Sequence, residues 1–191
     1  MKLSIVAIAL LSALSATASA EGYYWGAAIG QSYSNLCPST DKTLYSCANT
    51  GDAFGVSGGY NFTPNISIEV DYQILGTIAA YQSANSGSDG AASSNTKVNA
   101  LEAAAIGNME ITKNLSLIGK LGIADIMLNQ PSAAGTNTAT NVNIIYGLGI
   151  QYDFSKSVAG RALWENLGSV GDASTGESRM SMISGGLVFK Y

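Results

Sequence analysis

Six charged residues sit inside otherwise apolar stretches, and they are the first candidates for chemistry. Glu69 and Asp71 alternate with Ile66, Ile68, Val70 and Tyr72, while Glu102 lies between Leu101 and Ala103. Lys120 lies between Gly119 and Leu121, and Arg161 and Glu165 alternate with Val158, Ala162 and Trp164. Four carboxylates, an ammonium and a guanidinium must pair wherever they leave water, because a buried charge without a partner is costly. Their expected role is a satisfied polar core, with a gated ion pathway as the sharper alternative. Catalysis has less to work with. The sequence contains no His, which removes Ser-His-Asp and Cys-His nucleophile systems, imidazole bases and His-rich metal sites. A serine without a base is a weak nucleophile. Asp89 and Asp172 belong to different segments and offer no metal cluster. No catalytic, cofactor or metal-binding residue is assigned.

Cys37 and Cys47 are the only two cysteines. In an exported chain they read as a disulfide. The closed loop of about ten residues would gain roughly 2–3 kcal/mol against the unfolded state in the chain-entropy model. Without a Cys-x-x-Cys spacing, redox activity is not expected.

The elements that position these residues follow from composition and alternation. Only 12% of the 191 residues are charged, 47% are hydrophobic and 22 are Gly. That is one domain's worth of chain with too few charges for an ordinary water-facing coat. Nine Lys and Arg against 13 Asp and Glu give a net charge of −4, which excludes a phosphate-neutralising, nucleic-acid-binding protein. Residues 1–20 read as a secretory signal peptide: Lys2, an apolar run from Leu3 to Leu14, and a small-residue exit at Ala18-Ser19-Ala20. Cleavage is expected between Ala20 and Glu21, leaving 21–191 as one domain. No later stretch is apolar enough for a spanning helix, so any membrane crossing is by strands.

Eight segments with a period of two follow: Tyr23–Tyr33, Asp52–Phe62, Ile66–Thr77, Lys97–Ile111, Leu115–Met127, Val142–Phe154, Val158–Leu167 and Met180–Tyr191. Tight turns at Thr63-Pro64-Asn65, Thr112-Lys113-Asn114 and Ser155-Lys156-Ser157 alternate with longer polar connections over 34–51, 83–96, 128–141 and 168–179. Long connections at one end and short turns at the other describe an all-β, eight-stranded, up-and-down antiparallel barrel that crosses a membrane. A strand of about 10 residues, tilted by about 45°, spans roughly 23 Å, the height of the apolar band of such barrels.

Alternation alone leaves open which face meets lipid. A secreted soluble barrel of the lipocalin type, apolar inside and polar outside, is the alternative. Its outer face would carry charges on every strand, whereas here the polar face of several strands is mostly Gly, Ala, Ser, Asn and Gln, with Ile118, Ile145, Leu163 and Met182 as apolar exceptions on that phase. Six charges turned to lipid would cost on the order of 10 kcal/mol, rivalling the stability of a domain. Glu69, Asp71, Glu102, Lys120, Arg161 and Glu165 are therefore assigned to the lumen, and Asp125, on the outward phase, to the external rim. Tyr23, Trp25, Tyr60, Phe62, Tyr152, Phe154, Phe189 and Tyr191 gather at the short-turn end as an interfacial girdle, with Tyr33, Phe54 and Trp164 for the other boundary.

The closing run Ser184-Gly185-Gly186-Leu187-Val188-Phe189-Lys190-Tyr191 resembles the C-terminal insertion signal of bacterial outer-membrane barrels. Ser184, Gly186, Phe189 and Tyr191 hold its positions, with Tyr where Phe is commonest. Together with Ser57-Gly58-Gly59-Tyr60-Asn61-Phe62 and Leu117-Ile118-Gly119-Lys120-Leu121-Gly122, the chain is similar to the small OmpA-like and OmpX-like membrane domains. The resemblance implies an integral outer-membrane location among lipid and lipopolysaccharide, delivery by periplasmic chaperones, and insertion by the barrel-assembly machinery. The peptidoglycan-binding domain that follows the barrel in full-length OmpA, and with it a cell-wall tether, is not expected. By type, the lumenal network of the family maps onto Glu69, Glu102, Lys120 and Arg161. Lipid A palmitoyltransferases and deacylases resemble the chain in strand number, but rely on a His that it lacks. The expected function is non-enzymatic: long external loops contacting a host or surface ligand, by adhesion, host interaction or envelope support. A narrow channel for small solutes is the alternative, although eight strands leave an interior just wide enough for side chains to fill.

Overall fold

A computed structural model of the protein describes residues 22–35, 44–47, 49–82, 93–132, 135–170 and 178–191. Residues with alternating faces form the strands β1 (Gly22–Ser34), β3 (Thr50–Thr63), β4 (Ile66–Gln82), β5 (Ser93–Thr112), β6 (Leu115–Ser132), β7 (Gly135–Asp153), β8 (Val158–Val170) and β9 (Ser178–Lys190). A ninth, β2 (Leu44–Cys47), is only four residues long. Each long strand pairs antiparallel with its neighbour in sequence, and β1 pairs with β9, so the eight-stranded sheet closes on itself. Closure leaves no open sheet edge along the barrel wall, the condition for β-structure in hydrocarbon.

The three tight turns share a device. Thr63 Oγ1 accepts from the backbone N–H of Asn65 and Ile66, Thr112 Oγ1 from that of Leu115, and Ser155 Oγ from those of Ser157 and Val158. Asn65 Nδ2 then reaches across to the Asn108 carbonyl at 2.9 Å, and Asn114 Nδ2 to the Asp153 carbonyl at 3.1 Å, so the first two turns are tied to the neighbouring hairpin.

The opposite end departs from the sequence reading. Residues 128–141, expected as a loop, are mostly strand: β6 and β7 pair without a break from Leu115↔Tyr152 to Ser132↔Gly135. β4 and β5 likewise pair out to Tyr81↔Ser93, and β2 adds to β4 from within the first long connection. Beyond a bilayer neither face of a strand must be apolar, so hydrophobic alternation fades there while backbone pairing continues. β5, β6 and β7 contain 20, 18 and 19 residues. Eighteen residues at about 3.3 Å each, tilted by about 45°, reach roughly 42 Å, about 17 Å more than an apolar band of about 25 Å needs. The sheet β4–β7 therefore projects past one rim. At that rim Gly76 and Gly168 adopt positive φ (84° and 78°) beside register shifts in β4 and β8, a backbone state that favours glycine.

The outer wall is apolar all the way round. Ile29, Val142 and Ile144 are each more than 70% exposed, accompanied by Leu121, Ile123, Leu148, Ile150, Ile183 and Leu187. A water-facing surface does not carry a continuous apolar belt, so the soluble lipocalin-type alternative is overturned. Among the described residues no helix is long and apolar enough to cross a membrane; the crossing is made by strands.

Candidate functional site

The lumen is filled in layers. At the external half, Leu75, Val98, Ile126, Leu128, Ile145, Leu167, Val170, Met180 and Met182 form one apolar cluster with Ala53, Ala100, Ala124 and Ala139. This plug is more apolar than the sequence reading allowed: inward positions were expected to be small and polar, with Ile118, Ile145, Leu163 and Met182 as exceptions. Toward the short-turn end lies a second cluster, Tyr24 with Ala159 and Val188, and Ile106 and Ile118 are buried as well. Between the two lie the charges.

The six charged side chains from the sequence analysis all project into this middle layer, where Glu69, Asp71, Glu102, Lys120 and Glu165 are buried and Arg161 nearly so. Register explains their meeting. Asp71 on β4 stands directly opposite Glu102 on β5, and Lys120 on β6 is separated from Glu165 on β8 only by Gly147 on β7. A Cβ at Gly147 would press on Glu165 Cγ at 3.0 Å, so the missing side chain opens the path. Lys120 Nζ lies 3.0 Å from Asp71 Oδ2, 2.7 Å from Glu102 Oε2 and 2.5 Å from Glu165 Oε1. The ammonium donates hydrogen bonds to Asp71 and Glu102 and meets Glu165 as an ion pair. Arg161 reaches across the lumen from β8 to Glu69 on β4, with Nη1 to Oε2 at 2.6 Å.

Three neutral partners complete the layer and were not singled out from sequence. Gln151, opposite Arg161 in the β7–β8 register, accepts from Arg161 Nε and Nη2 through Oε1 at 3.3 and 3.2 Å. Gln73 donates from Nε2 to Glu165 Oε2 at 3.3 Å. The Tyr24 ring lies under the guanidinium, 5.8 Å from Arg161 Cζ to the ring centroid, and its hydroxyl donates to Ser67 Oγ at 3.4 Å. The signal for all three was parity: each shares the inward phase of its strand. Tyr24 also needs Gly59, where a Cβ would collide with the phenol ring. Beside the charges remains a cavity of about 50 Å³, bounded by glycine-rich stretches of β1 and β3.

The other sequence-marked residues lie elsewhere. Ser184 is lumenal and Gly186 faces Arg161 across β8–β9. Phe189 stacks on Trp25 with ring centroids 4.4 Å apart, and Trp25 Nε1 donates to the Tyr191 hydroxyl at 2.9 Å. Tyr23 packs on Tyr60, Tyr60 on Phe62, and Tyr152 on Phe154, so the interfacial aromatics associate at the short-turn end. Asp125 is half-buried on the outward phase, opposite Leu101 and Val142. Ala20, Glu21 and Cys37 lie outside the described residues, and Cys47 ends β2. Among the described residues no group of three or more His, Cys, Asp or Glu is arranged to hold a metal ion.

A family model described as the OmpA-like transmembrane domain matches residues 18–191. Solved structures agree in fold. Neisserial surface protein A superposes with a TM-score of 0.62 at 16% identity, covering 91% of this chain and 100% of that one. The N-terminal β-barrel domain of Pseudomonas aeruginosa OprF gives 0.58 at 14% identity, over 91% and 100% of the two chains. Ail, the attachment invasion locus protein of Yersinia pestis, solved with the heparin analogue sucrose octasulfate, gives 0.55 at 16% identity, over 90% and 99%. No curated protein matches the sequence.

Proposed function

Because the chain belongs to the OmpA-like transmembrane domain family and is an integral outer-membrane barrel, we propose that it works without catalysis, as a plugged mount holding an external contact surface. That surface serves adhesion, host interaction or envelope support. The observation that carries this reading is the projection of β4–β7 beyond the external rim above a lumen closed by the apolar plug. A closed lumen has nothing to conduct, whereas a rigid sheet lifted clear of the membrane presents loops to other molecules. Charge narrows the partner. By sequence, the segments 36–43, 83–92 and 171–177 carry Asp41, Asp89, Asp172 and Glu177 against Lys42. A sulfated polyanion such as the one bound to Ail fits that balance poorly; a neutral or cationic surface fits it well.

The same reading takes in the remaining expectations. Removal of residues 1–20 at Ala20-Glu21 delivers the mature chain, and Ser184, Gly186, Phe189 and Tyr191 serve as the signal read by the barrel-assembly machinery. Cys37 and Cys47 pair to brace the first loop, and lipopolysaccharide surrounds the outer rim. The test is display of the protein on a non-adherent bacterium, with a second strain carrying residues 83–92 shortened to a tight turn. Adherence to host cells that appears with the full chain, falls with the shortened loop and resists competition by heparin supports the reading. Equal adherence by both strains and by the empty host overturns the adhesive role, and sensitivity to envelope stress that ignores loop length then identifies envelope support.

A further inference from the structure

We propose that the notch at the external rim where β8 falls away from β7 docks one lipopolysaccharide molecule, an acyl chain on the wall and the phosphorylated sugar above it. This rests on the outer-rim placement of lipopolysaccharide given above and is independent of adhesion. The notch is a break in the pairing. β6 and β7 stay in register up to Ser132↔Gly135, whereas among the described residues β8 pairs with β7 no higher than Tyr146↔Asn166. Beyond Asn166, β8 shifts register at Gly168 and follows β9 alone, to Val170↔Ser178. Asn143 spans the gap: its Nδ2 donates to the Leu167 and Ser169 carbonyls at 2.8 and 2.6 Å, and its amide packs where Gly168 has no Cβ. The other side of the projecting sheet is built differently, since β2 pairs along β4 there.

Position decides the occupant. Ten residues separate Val142 from Tyr152 in the short-turn girdle, about 23 Å of height at about 3.3 Å per residue and a tilt of about 45°. Val142 therefore stands at the outer limit of the apolar band, with Thr140 and Thr138 about 5 and 9 Å above it, at headgroup depth. Val142 and Ile144 are 71% and 72% exposed, and the T-shaped pair Tyr146 and Trp164 closes the lower end of the notch. An acyl chain fits this surface. Above it, Thr138 and Thr140 expose hydroxyls, and alternate residues of β7 turn N–H and C=O toward the notch. Sugar hydroxyls, each donor and acceptor, match both groups. Charge sets the orientation. Gly135–Tyr146 carries no charged residue. On the β9 side Arg179 is exposed opposite Ser169, its backbone N–H held by Asn35 Oδ1 at 2.7 Å. On the β6 side Asp125 lies opposite Val142. The phosphate thus belongs over β8 and β9, and the sugar hydroxyls over β6 and β7.

The experiment uses the full mature chain, refolded without lipopolysaccharide into detergent micelles and titrated with bisphosphorylated lipid A or with phosphatidylglycerol. Native mass spectrometry counts the bound lipid, and backbone amide shifts locate it. One lipid A per barrel is expected, bound about tenfold or more tighter than phosphatidylglycerol, with shifts confined to 138–146 and 166–170. Arg179→Ala and the double variant Val142→Ala/Ile144→Ala should each weaken it by about tenfold. Val70→Ala, exposed on β4 across the barrel, should change nothing. Equal binding of phosphatidylglycerol, shifts spread evenly around the barrel, or a loss in Val70→Ala as large as in the notch variants would each overturn the proposal, because lipid would then merely coat the wall. Lipid A docking that holds while adherence fails counts against the adhesive role alone.

Discussion

Replacing Lys120 by Met isolates the most consequential interaction in the barrel. The substitution removes the one cation that meets Asp71, Glu102 and Glu165 at 3.0, 2.7 and 2.5 Å, while leaving a side chain of similar length to fill the space. Taking one partner from a buried ion pair costs about 3–5 kcal/mol, most of it the penalty of the charge left behind. Three carboxylates are left behind here, so Lys120→Met belongs at the upper end, about 5 kcal/mol. That is a large share of the ~5–15 kcal/mol that keeps a typical domain folded. Urea titration of the barrel in micelles, followed by Trp fluorescence and heat-modifiable migration, measures it. Adding Glu102→Gln and Glu165→Gln to Lys120→Met should recover most of the loss, since neutral groups no longer repel. A Lys120→Met barrel within about 1 kcal/mol of the parent, well short of the 3–5 kcal/mol expected for a broken buried pair, would refute the reasoning. So would a triple variant weaker than the single.

Other substitutions probe the layers above and below. Leu75→Ala opens a hole in the apolar plug and should cost about 2–5 kcal/mol in the same titration, because Leu75 is fully buried. Gly59→Ala drives a methyl group into the Tyr24 ring and should cost about 1–3 kcal/mol, with recovery in Gly59→Ala/Tyr24→Leu. Asn65→Ala removes the tie to the Asn108 carbonyl, an expected loss of about 0.5–1.5 kcal/mol and faster hydrogen exchange at the adjoining turn. Reduction and alkylation of the native protein should leave the barrel folded while exposing Cys37 and Cys47, counted as two added labels by mass spectrometry.

The architecture was legible because a lipid-facing wall enforces strict alternation. From Tyr23 to Tyr33, or Leu115 to Met127, every second residue must tolerate hydrocarbon, and the tight turns between segments carry Thr, Asn, Pro and Ser. Where the wall leaves the membrane the constraint lapses: Asn129–Ser132 and Gly135–Asn141 show no apolar phase, yet their backbones pair as regularly as the rest. Parity suffices to put Glu69, Asp71, Glu102, Lys120, Arg161 and Glu165 on one face. It does not say which carboxylate meets which cation, because that depends on the stagger between strands. The Lys120–Glu165 contact crosses β7 through Gly147, and Arg161–Glu69 crosses the whole lumen. The apolar plug was underestimated for a related reason. Its members come one to three at a time from seven of the eight long strands, and no stretch of sequence looks like a core.

The most direct test of the account is planar-bilayer conductance of the folded, purified protein over a range of voltages and salts. A barrel closed by Leu75, Ile126, Leu128, Leu167 and Met180 should insert without discrete current steps, and should begin to conduct only when that cluster is cut back to glycine and serine. Stable, uniform current steps from the unmodified protein would contradict the closed lumen and return the channel to first place.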